Sequence, residues 1–322
     1  MIVGNQGTAP VTEPDTRRPR NGSFILLLTS IIWGSSFVPQ RVAMESMRPF
    51  TYTAARFLLG AAVLLPVLFL RNRTKQTESR AADLKTYLFA GLLCGSLLFL
   101  GVSFQQTGIQ YTEAGKAGFI SALYVVLVPL LGIPLGKRAN STVWLGVLLA
   151  VAGVYLLSFT NQFRIERGDL FVLMGTLFWA AHILTLDRFL PKVDGLALAI
   201  MQFFAAGFLA LIAALIFEKP HLAQLSAGLW TILYSGILVV GGGYTLQVLG
   251  QKSVHPTIAA LIMSTESVFA VLFGWILLGE LLSLREITGC AVMFAAVVIA
   301  QLPGQFARKI PAISDGQPDS IN

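Results

Sequence analysis

One carboxylate, Glu266, lies inside a long apolar stretch of this sequence, where its chemistry would be binding of a cation or a proton. It follows Pro256 by ten residues, which places it about 15 Å along a helix, close to the middle of a bilayer. An acidic side chain that faces lipid at this depth costs roughly 2.5–3.5 kcal/mol, so Glu266 should face a cavity or a partner. We predict that it binds a substrate ammonium group or a coupling proton. The alternative is a protonated, hydrogen-bonded contact between helices.

Three large aromatic side chains are predicted at a similar depth. Tyr124 lies about 16 Å down its predicted helix when counted from Glu113, and Trp33 and Trp179 each lie about 15 Å into theirs. Tryptophan that anchors a helix in lipid prefers the interface. The two indoles are therefore candidates to stack on an aromatic or cationic substrate, and packing in the core is the alternative for all three residues.

Two further polar residues lie in apolar stretches. Arg56 is about 10 Å below the boundary set by Pro49; it either extends to the lipid headgroups or anchors a carboxylate or phosphate. His182 follows Trp179 by three residues, on the same helix face. Because histidine titrates near neutral pH, His182 is a candidate proton site beside Glu266, with a hydrogen-bonded structural role as the alternative.

Other positions suggest gating. Gln105 and Gln247 are near opposite ends of long predicted helices, where they form either gate contacts or interfacial hydrogen bonds. Gly241, Gly242 and Gly243 interrupt the eighth predicted helix, and each glycine weakens a helix by about 1 kcal/mol relative to alanine. We predict a hinge there.

The composition requires these residues to be held by a membrane fold. Of 322 residues, 55% are apolar and 12% charged, and the mean hydropathy is +0.72, which excludes both a soluble globular enzyme and a disordered chain. Windows of about 20 mainly apolar residues predict ten transmembrane helices. They cover 21–40, 49–70, 86–112, 117–136, 139–163, 170–186, 195–217, 220–251, 253–279 and 287–307.

The basic residues predict an orientation. With a cytoplasmic N-terminus, ten spans place 15 of the 23 Lys and Arg residues inside, 7 outside and Arg56 within a span. The positive-inside rule then favours cytoplasmic N- and C-termini. The net charge of +7 therefore reports topology, and we predict no nucleic-acid partner.

The two halves of the chain resemble each other. We predict a cytoplasmic tail over 1–22, a first five-helix repeat over 23–160, a second over 168–303 and a cytoplasmic tail over 304–322. The matches at an offset of 146 include Trp33 with Trp179, Phe57 with Phe203, Ser36 with His182 and Arg56 with Gln202. The matches at an offset of 142 include Gly101 with Gly243, Gln105 with Gln247, Gly108 with Gly250 and Tyr124 with Glu266.

Because five is odd, the second repeat must enter the membrane from the opposite side, so the repeat is inverted. Inverted repeats are typical of transporters, whose site lies near the midplane between the repeats and is exposed alternately to the two sides. We therefore predict a substrate pathway that contains Trp33, Ser36, Arg56, Tyr124, Trp179, His182 and Glu266.

Three motifs carry a resemblance to a known family. The run Trp33-Gly34-Ser35-Ser36-Phe37, the stretch from Tyr111 to Gly136, and Glu266 followed by Leu278-Gly279-Glu280 resemble the ten-helix EamA-type branch of the drug/metabolite transporter superfamily, over roughly residues 23–302. The resemblance implies a transporter of small metabolites, often amino acids or their analogues, usually outward across a bacterial cytoplasmic membrane. Ser267 follows Glu266 where many relatives have proline.

The expected protein is an all-α secondary transporter that exports amino acids or similar amphiphiles. Its expected partners are a small-molecule substrate, the lipid bilayer and coupling protons, and a homodimer is left open. Cys94 and Cys290 fall inside spans and no Walker A or HExxH pattern occurs, so we predict no metal, no cofactor and no enzymatic activity. The rivals are an exchanger of nucleotide-sugars or phosphorylated metabolites, an intramembrane lipid-modifying enzyme and a passive channel.

Overall fold

The computed structural model describes residues 18–74, 83–112, 114–137, 139–158, 166–278 and 283–302, and every regular element within these ranges is helical. The predicted N-terminal tail up to residue 17, the predicted C-terminal tail and the motif residues Gly279 and Glu280 lie outside the described residues. The helices are α1 (Arg18–Ser46), α2 (Pro49–Thr74), α3 (Leu84–Ile109), α4 (Ala114–Ala122), α5 (Tyr124–Gly132), α6 (Ser141–Ser158), α7 (Arg167–Phe189), α8 (Gly195–Phe217), α9 (Leu222–Ala227), α10 (Leu229–Leu233), a π-helix (Tyr234–Tyr244), α11 (Thr245–Gln251), α12 (Pro256–Met263), α13 (Glu266–Leu278) and α14 (Leu284–Gln301).

Eight helical segments in the described ranges are long and apolar enough to cross a bilayer. They are Asn21–Ser46, Pro49–Arg73, Leu84–Ile109, Arg167–Phe189, Gly195–Phe217, Leu229–Gln251, Pro256–Phe273 and Leu284–Gln301. Two shorter apolar helices, Ile120–Leu135 and Ser141–Leu156, coincide with the fourth and fifth predicted spans. The all-α membrane fold is therefore confirmed, whereas the number of ten crossings and the repeat boundaries stay predictions.

Helices from the two halves of the chain pack against each other. α3 packs against α7 and α8, α2 packs against α8 and the π-helix, and α1 packs against α11, α12 and α13, while α6 packs against α14. Glycine allows several close approaches between these helices. A β-carbon on Gly108 of α3 would lie 2.7 Å from the carbonyl oxygen of Gly168 on α7, and the reverse distance is also 2.7 Å. Any side chain at either position would push the two helices apart.

Two of the predicted spans are broken near their middles. The fourth is divided between α4 and α5 immediately before Tyr124, and the ninth is divided between α12 and α13 immediately before Glu266. At both places the backbone stays in the right-handed helical region, at Leu123 and at Ser264, while hydrogen bonds three residues apart replace the α-helical pattern. The ninth span is still one helical segment, Pro256–Phe273. A short tightened turn inside a helix often marks a functional hinge.

Serine and threonine supply the bend before Glu266 without proline. The hydroxyls of Ser264, Thr265 and Ser267 donate to main-chain carbonyl oxygens three residues earlier, at 2.8, 2.7 and 2.8 Å. Hydroxyl bonds of this type compete with the helical pattern and bend helices. The break therefore forms with a serine, and no proline, directly after Glu266.

Candidate functional site

A small cavity lies at the centre of the helix assembly, beside both helix breaks. Its volume is about 30 Å³, which accommodates one or two water molecules. Seven of the predicted functional residues line it, namely Trp33, Ser36, Arg56, Gln105, Tyr124, Trp179 and Glu266. The other lining residues are Phe37, Gln40, Ser121, Val239 and Tyr244.

The cavity extends toward one membrane face. Gln40 lies two turns beyond Trp33 toward the end of α1, and Gln105 lies near the end of α3. Because successive spans alternate in direction, α1 and α3 end at the same face. We call this the second face, and the face at which α1 and α3 begin the first face. The cavity therefore lies between the midplane and the second face.

Glu266 has one hydroxyl donor at the cavity. The Tyr124 hydroxyl donates to Glu266 Oε1 at 3.3 Å, and the glutamate side chain is buried, with 5% exposure. The structure thus brings together the two residues matched at an offset of 142. Within the described ranges no basic side chain forms an ion pair with Glu266, so its second oxygen is available to a ligand cation or a proton.

Arg56 is buried on the same cavity. Its exposure is 2%, so the side chain does not extend to lipid headgroups. The guanidinium lies over the rings of Tyr52 and Phe57, at 4.8 and 5.4 Å from their centroids, and its Nε has no hydrogen-bond partner. No carboxylate of the described residues forms an ion pair with it. Arg56 is therefore a buried cation that presents a donor without an acceptor.

Aromatic rings form the floor of the cavity. The Trp33 and Trp179 centroids are 6.1 Å apart, and Tyr244 lies 4.8 Å from Trp33 and 5.8 Å from Trp179, nearly parallel to the latter. Phe57 and Phe203, which are matched in the repeat, touch edge to face at 6.0 Å and both contact Tyr244. Of these rings, Trp33, Trp179 and Tyr244 line the cavity, where they offer faces to an apolar or cationic ligand group; Phe57 and Phe203 support Tyr244 from behind.

The two tryptophans differ in their hydrogen bonding. Trp179 Nε1 donates to Gln105 Oε1 at 3.1 Å. The matched groups on the other side of the midplane are unpaired: Trp33 Nε1 and both amide atoms of Gln247 are buried without hydrogen-bond partners. A β-carbon on Gly243, one turn before Gln247, would lie 2.9 Å from Trp33 Nε1. The structure thus contains one Trp–Gln bond and, toward the first face, its unformed counterpart.

His182 does not line the cavity. It is fully buried, its Nε2 is 2.9 Å from Gln202 Oε1, and its ring meets the edge of Trp179 with centroids 6.1 Å apart. Its Nδ1 has no hydrogen-bond partner. The structure therefore places His182 behind the aromatic floor, and its proton-relay role stays a prediction.

The glycine triplet lies in unusual helix geometry. Gly241, Gly242 and Gly243 are the last glycines of the 11-residue π-helix. π-helical segments are rare and frequently occur at functional sites. Because Tyr244 and Val239 of this segment line the cavity, a change in its winding would move the cavity wall directly.

Sequence comparison between the halves missed Tyr244. It contacts four aromatic residues of the site, but its counterpart at an offset of 142 is Val102, so the repeat gave no signal. Its place in the sequence is a signal that could have identified it, because Tyr244 directly follows the glycine triplet. Gln40 and Ser121 were missed for a different reason, since single polar residues near helix ends have many structural uses.

Charged contacts hold the helices at the first face. Arg71 Nη2 donates to Asp194 Oδ1 at 2.7 Å, and the Asp194 N–H donates to the Tyr87 hydroxyl at 2.9 Å. Burial acts to raise the pKa of Asp194, but the hydrogen bonds from Arg71 and from the Ala197 N–H outweigh it and lower that pKa below the ordinary value. Among the described residues no group of three or more His, Cys, Asp or Glu side chains is arranged to hold a metal ion.

Comparison with known proteins adds independent evidence. The model of the EamA-like transporter family matches residues 20–159 and 166–301. An uncharacterized transporter of Archaeoglobus fulgidus is 32% identical over 278 residues, 86% of this chain and 84% of that protein. The uncharacterized inner membrane transporter YedA of Escherichia coli K12 is 29% identical over 282 residues, 84% of this chain and 88% of that protein.

A solved structure shares the fold. A protein of known crystal structure superposes on this chain with a TM-score of 0.73 at 17% identity, and the match covers 88% of this chain and 97% of that chain.

Proposed function

Because this chain belongs to the EamA-like transporter family and is a multi-pass membrane transporter, we propose that it is a secondary transporter that exports small zwitterionic metabolites, such as amino acids or related amphiphiles. Export would occur across the cytoplasmic membrane by alternating access, with both termini in the cytoplasm. The basic residues favour this orientation, and the name of the inner membrane transporter YedA supports this membrane.

The proposed substrate class rests on one observation: Arg56 and Glu266 line the same cavity without forming an ion pair. Burying an unpaired charge is unfavourable, and a buried charge normally has a partner. A zwitterion supplies both partners at once, with a carboxylate for the Arg56 fork and an ammonium for Glu266. The aromatic rings that line the same cavity suit the apolar part of an amphiphile.

The helix contacts support an inverted repeat. Gly108 meets Gly168, and their counterparts Gly250 and Gly22 meet in the same way, with a β-carbon on Gly22 lying 2.8 Å from the Gly250 carbonyl oxygen. Trp33 with Trp179, Phe57 with Phe203 and Tyr124 with Glu266 are also matched pairs in mutual contact. Contacts between matched residues are expected around a two-fold axis in the membrane plane.

Alternating access would then involve an exchange of hydrogen bonds between the two tryptophans. In the present state Trp179 bonds to Gln105, while Trp33 and Gln247 are unpaired. Exchange of the two halves would form the Trp33–Gln247 bond, release Trp179 from Gln105 and move the cavity toward the first face. Bending of the π-helix at Gly241–Gly243 would accompany this exchange. Alanine at Gly241 and Gly242, where a β-carbon would meet no atom nearer than 3.4 Å, should therefore slow transport without abolishing binding.

The tryptophan exchange predicts opposite effects of two matched substitutions. Trp179→Phe removes a bond of the present state, so the ratio of this state to the other should fall about fivefold, because one hydrogen bond contributes about 1 kcal/mol. Trp33→Phe removes a bond of the other state and should raise the population of the present one. The measurement is the distance distribution between spin labels at Tyr111→Cys and Leu222→Cys, which are exposed on the two repeats at the second face, with Cys94 and Cys290 replaced by alanine.

Trp230→Phe is the matched control, since Trp230 is 70% exposed and lies away from the cavity. It should leave the distance distribution unchanged. If Trp33→Phe and Trp179→Phe both shift the distance distribution in the same direction, the exchange of bonds is wrong even if transport itself is confirmed.

Transport of a matched substrate series tests the proposed function. A metabolite screen against the purified protein identifies the amino acid that binds best, and proteoliposomes then measure uptake of that amino acid, its decarboxylated amine and its deaminated acid. The zwitterion should be transported in preference to both. Exchange of nucleotide-sugars or phosphorylated sugars, with no amino-acid flux, would replace this proposal with that of an anionic-metabolite exchanger.

A further inference from the structure

A second pocket, distinct from the central cavity, opens on the side of the helix assembly at the first face. Its volume is about 650 Å³, and it lies between the end of α5 and the end of α7. Its walls are formed by Leu131, Leu135, Ala181, Leu184, Thr185 and Pro191. Leu131 and Leu135 are exposed, at 40% and 58%, on a surface that the bilayer would cover. We call this pocket the lateral groove.

The rim of the lateral groove is basic. Lys137, Arg188 and Lys192 line it together with one carboxylate, Asp187. Asp187 forms an ion pair with Lys137, so it neutralises one of the three cations. In the part of the chain that the structure describes, no carboxylate forms an ion pair with Arg188 or Lys192. The groove thus combines an apolar wall with two uncompensated cations at the level of the headgroups.

We propose that the lateral groove binds an anionic glycerophospholipid of the leaflet at the first face. The lipid phosphate would accept hydrogen bonds from Arg188 and Lys192, with the Lys137 ammonium adding charge, and one acyl chain would lie along Leu131, Leu135 and Leu184. Basic pockets between transmembrane helices on the cytoplasmic side bind anionic headgroups, and the proposed orientation makes the first face cytoplasmic. Guanidinium and ammonium stems pack on apolar surface while their charged ends reach the headgroup layer.

The position of the groove connects it to the transport site. α5 begins at Tyr124, and α7 carries Trp179 about two and a half turns before Arg188. A lipid wedged between the ends of these two helices would hold their spacing at the first face. The binding claim is independent of the proposed substrate, because none of the groove residues lines the central cavity.

Native mass spectrometry of the full-length protein tests lipid binding. The purified protein is titrated with phosphatidylglycerol and, separately, with phosphatidylcholine that carries the same acyl chains. Phosphatidylglycerol should bind preferentially. The double variant Arg188→Gln/Lys192→Gln should bind it about 30-fold more weakly, since each basic residue near an anionic headgroup contributes about fivefold in affinity.

The matched control is Arg48→Gln/Lys219→Gln, which removes two exposed cations at the opposite face and should retain wild-type binding. The charge-preserving pair Arg188→Lys/Lys192→Arg should also bind phosphatidylglycerol, which separates loss of charge from loss of folding. Equal binding of both lipids, or equal loss in the two glutamine pairs, would overturn the proposal. A Glu266→Gln protein that loses transport but still binds phosphatidylglycerol would separate this site from the substrate site.

Discussion

Replacement of Glu266 by glutamine is expected to weaken binding of the zwitterionic substrate roughly 10- to 150-fold, the usual effect of losing a hydrogen bond to a charged group. Binding of the deaminated acid, which has no ammonium, should weaken far less. Glutamine has nearly the same volume, and its carbonyl oxygen can still accept from the Tyr124 hydroxyl, which donates at 3.3 Å in the wild-type protein. Equilibrium binding and initial uptake rates for the three-member substrate series measure the effect.

Glu45→Gln provides the control, since Glu45 is an exposed acid near the end of α1 and should leave all three ligands unaffected. Equal weakening of binding for all three ligands would show that Glu266 stabilises the protein rather than binding the substrate ammonium. The same variant tests coupling: an imposed pH gradient should alter wild-type flux and leave Glu266→Gln flux unchanged. Wild-type flux that ignores the gradient, and equals that of the variant, would rule out a coupling proton at Glu266.

The depth and pairing of the site residues could be predicted from the sequence. Counting from Pro256 and Glu113 predicts similar depths for Glu266 and Tyr124, and an offset of 142 relates them; the structure brings them into contact. Depth and pairing depend only on the rise per residue of a helix and on the order of the residues along the chain. The all-helical membrane fold followed from composition in the same way.

Other features depend on side-chain packing that no spacing rule contains. Arg56 could either extend to headgroups or face a cavity, and only the packing of Tyr52 and Phe57 against its guanidinium decides for the cavity. His182 shares a helix face with Trp179, yet its bond to Gln202 holds it behind the aromatic floor. The break before Glu266 needed serine and threonine rotamers that bond back to the helix, which the sequence permits without requiring.

Replacement of Arg56 by glutamine is expected to remove the contact to the other charged group of the substrate, its carboxylate. Binding of the zwitterion should again weaken roughly 10- to 150-fold, because a charge-assisted bond to the carboxylate is lost. The decarboxylated amine should be nearly unaffected. Glutamine is the natural residue at the matched position, Gln202, which is fully buried, so the fold accepts this side chain at that depth. Binding and uptake of the same three ligands provide the measurement.

Arg48→Gln, at an exposed arginine, controls for loss of positive charge alone. If Arg56→Gln weakens binding of the amine and of the zwitterion equally, Arg56 does not bind the substrate carboxylate.

The double variant Arg56→Gln/Glu266→Gln decides whether the two charges act on one ligand. They form no ion pair with each other, so in the free protein they have little direct coupling to lose. Their separate effects on zwitterion binding should then add approximately as free energies, since each residue binds a different charged group of the ligand and the two side chains do not contact each other. The double variant should bind the three ligands with similar, weak affinity. A double variant that binds the zwitterion as well as either single variant would mean that the two residues contact each other in the bound state, and not the substrate.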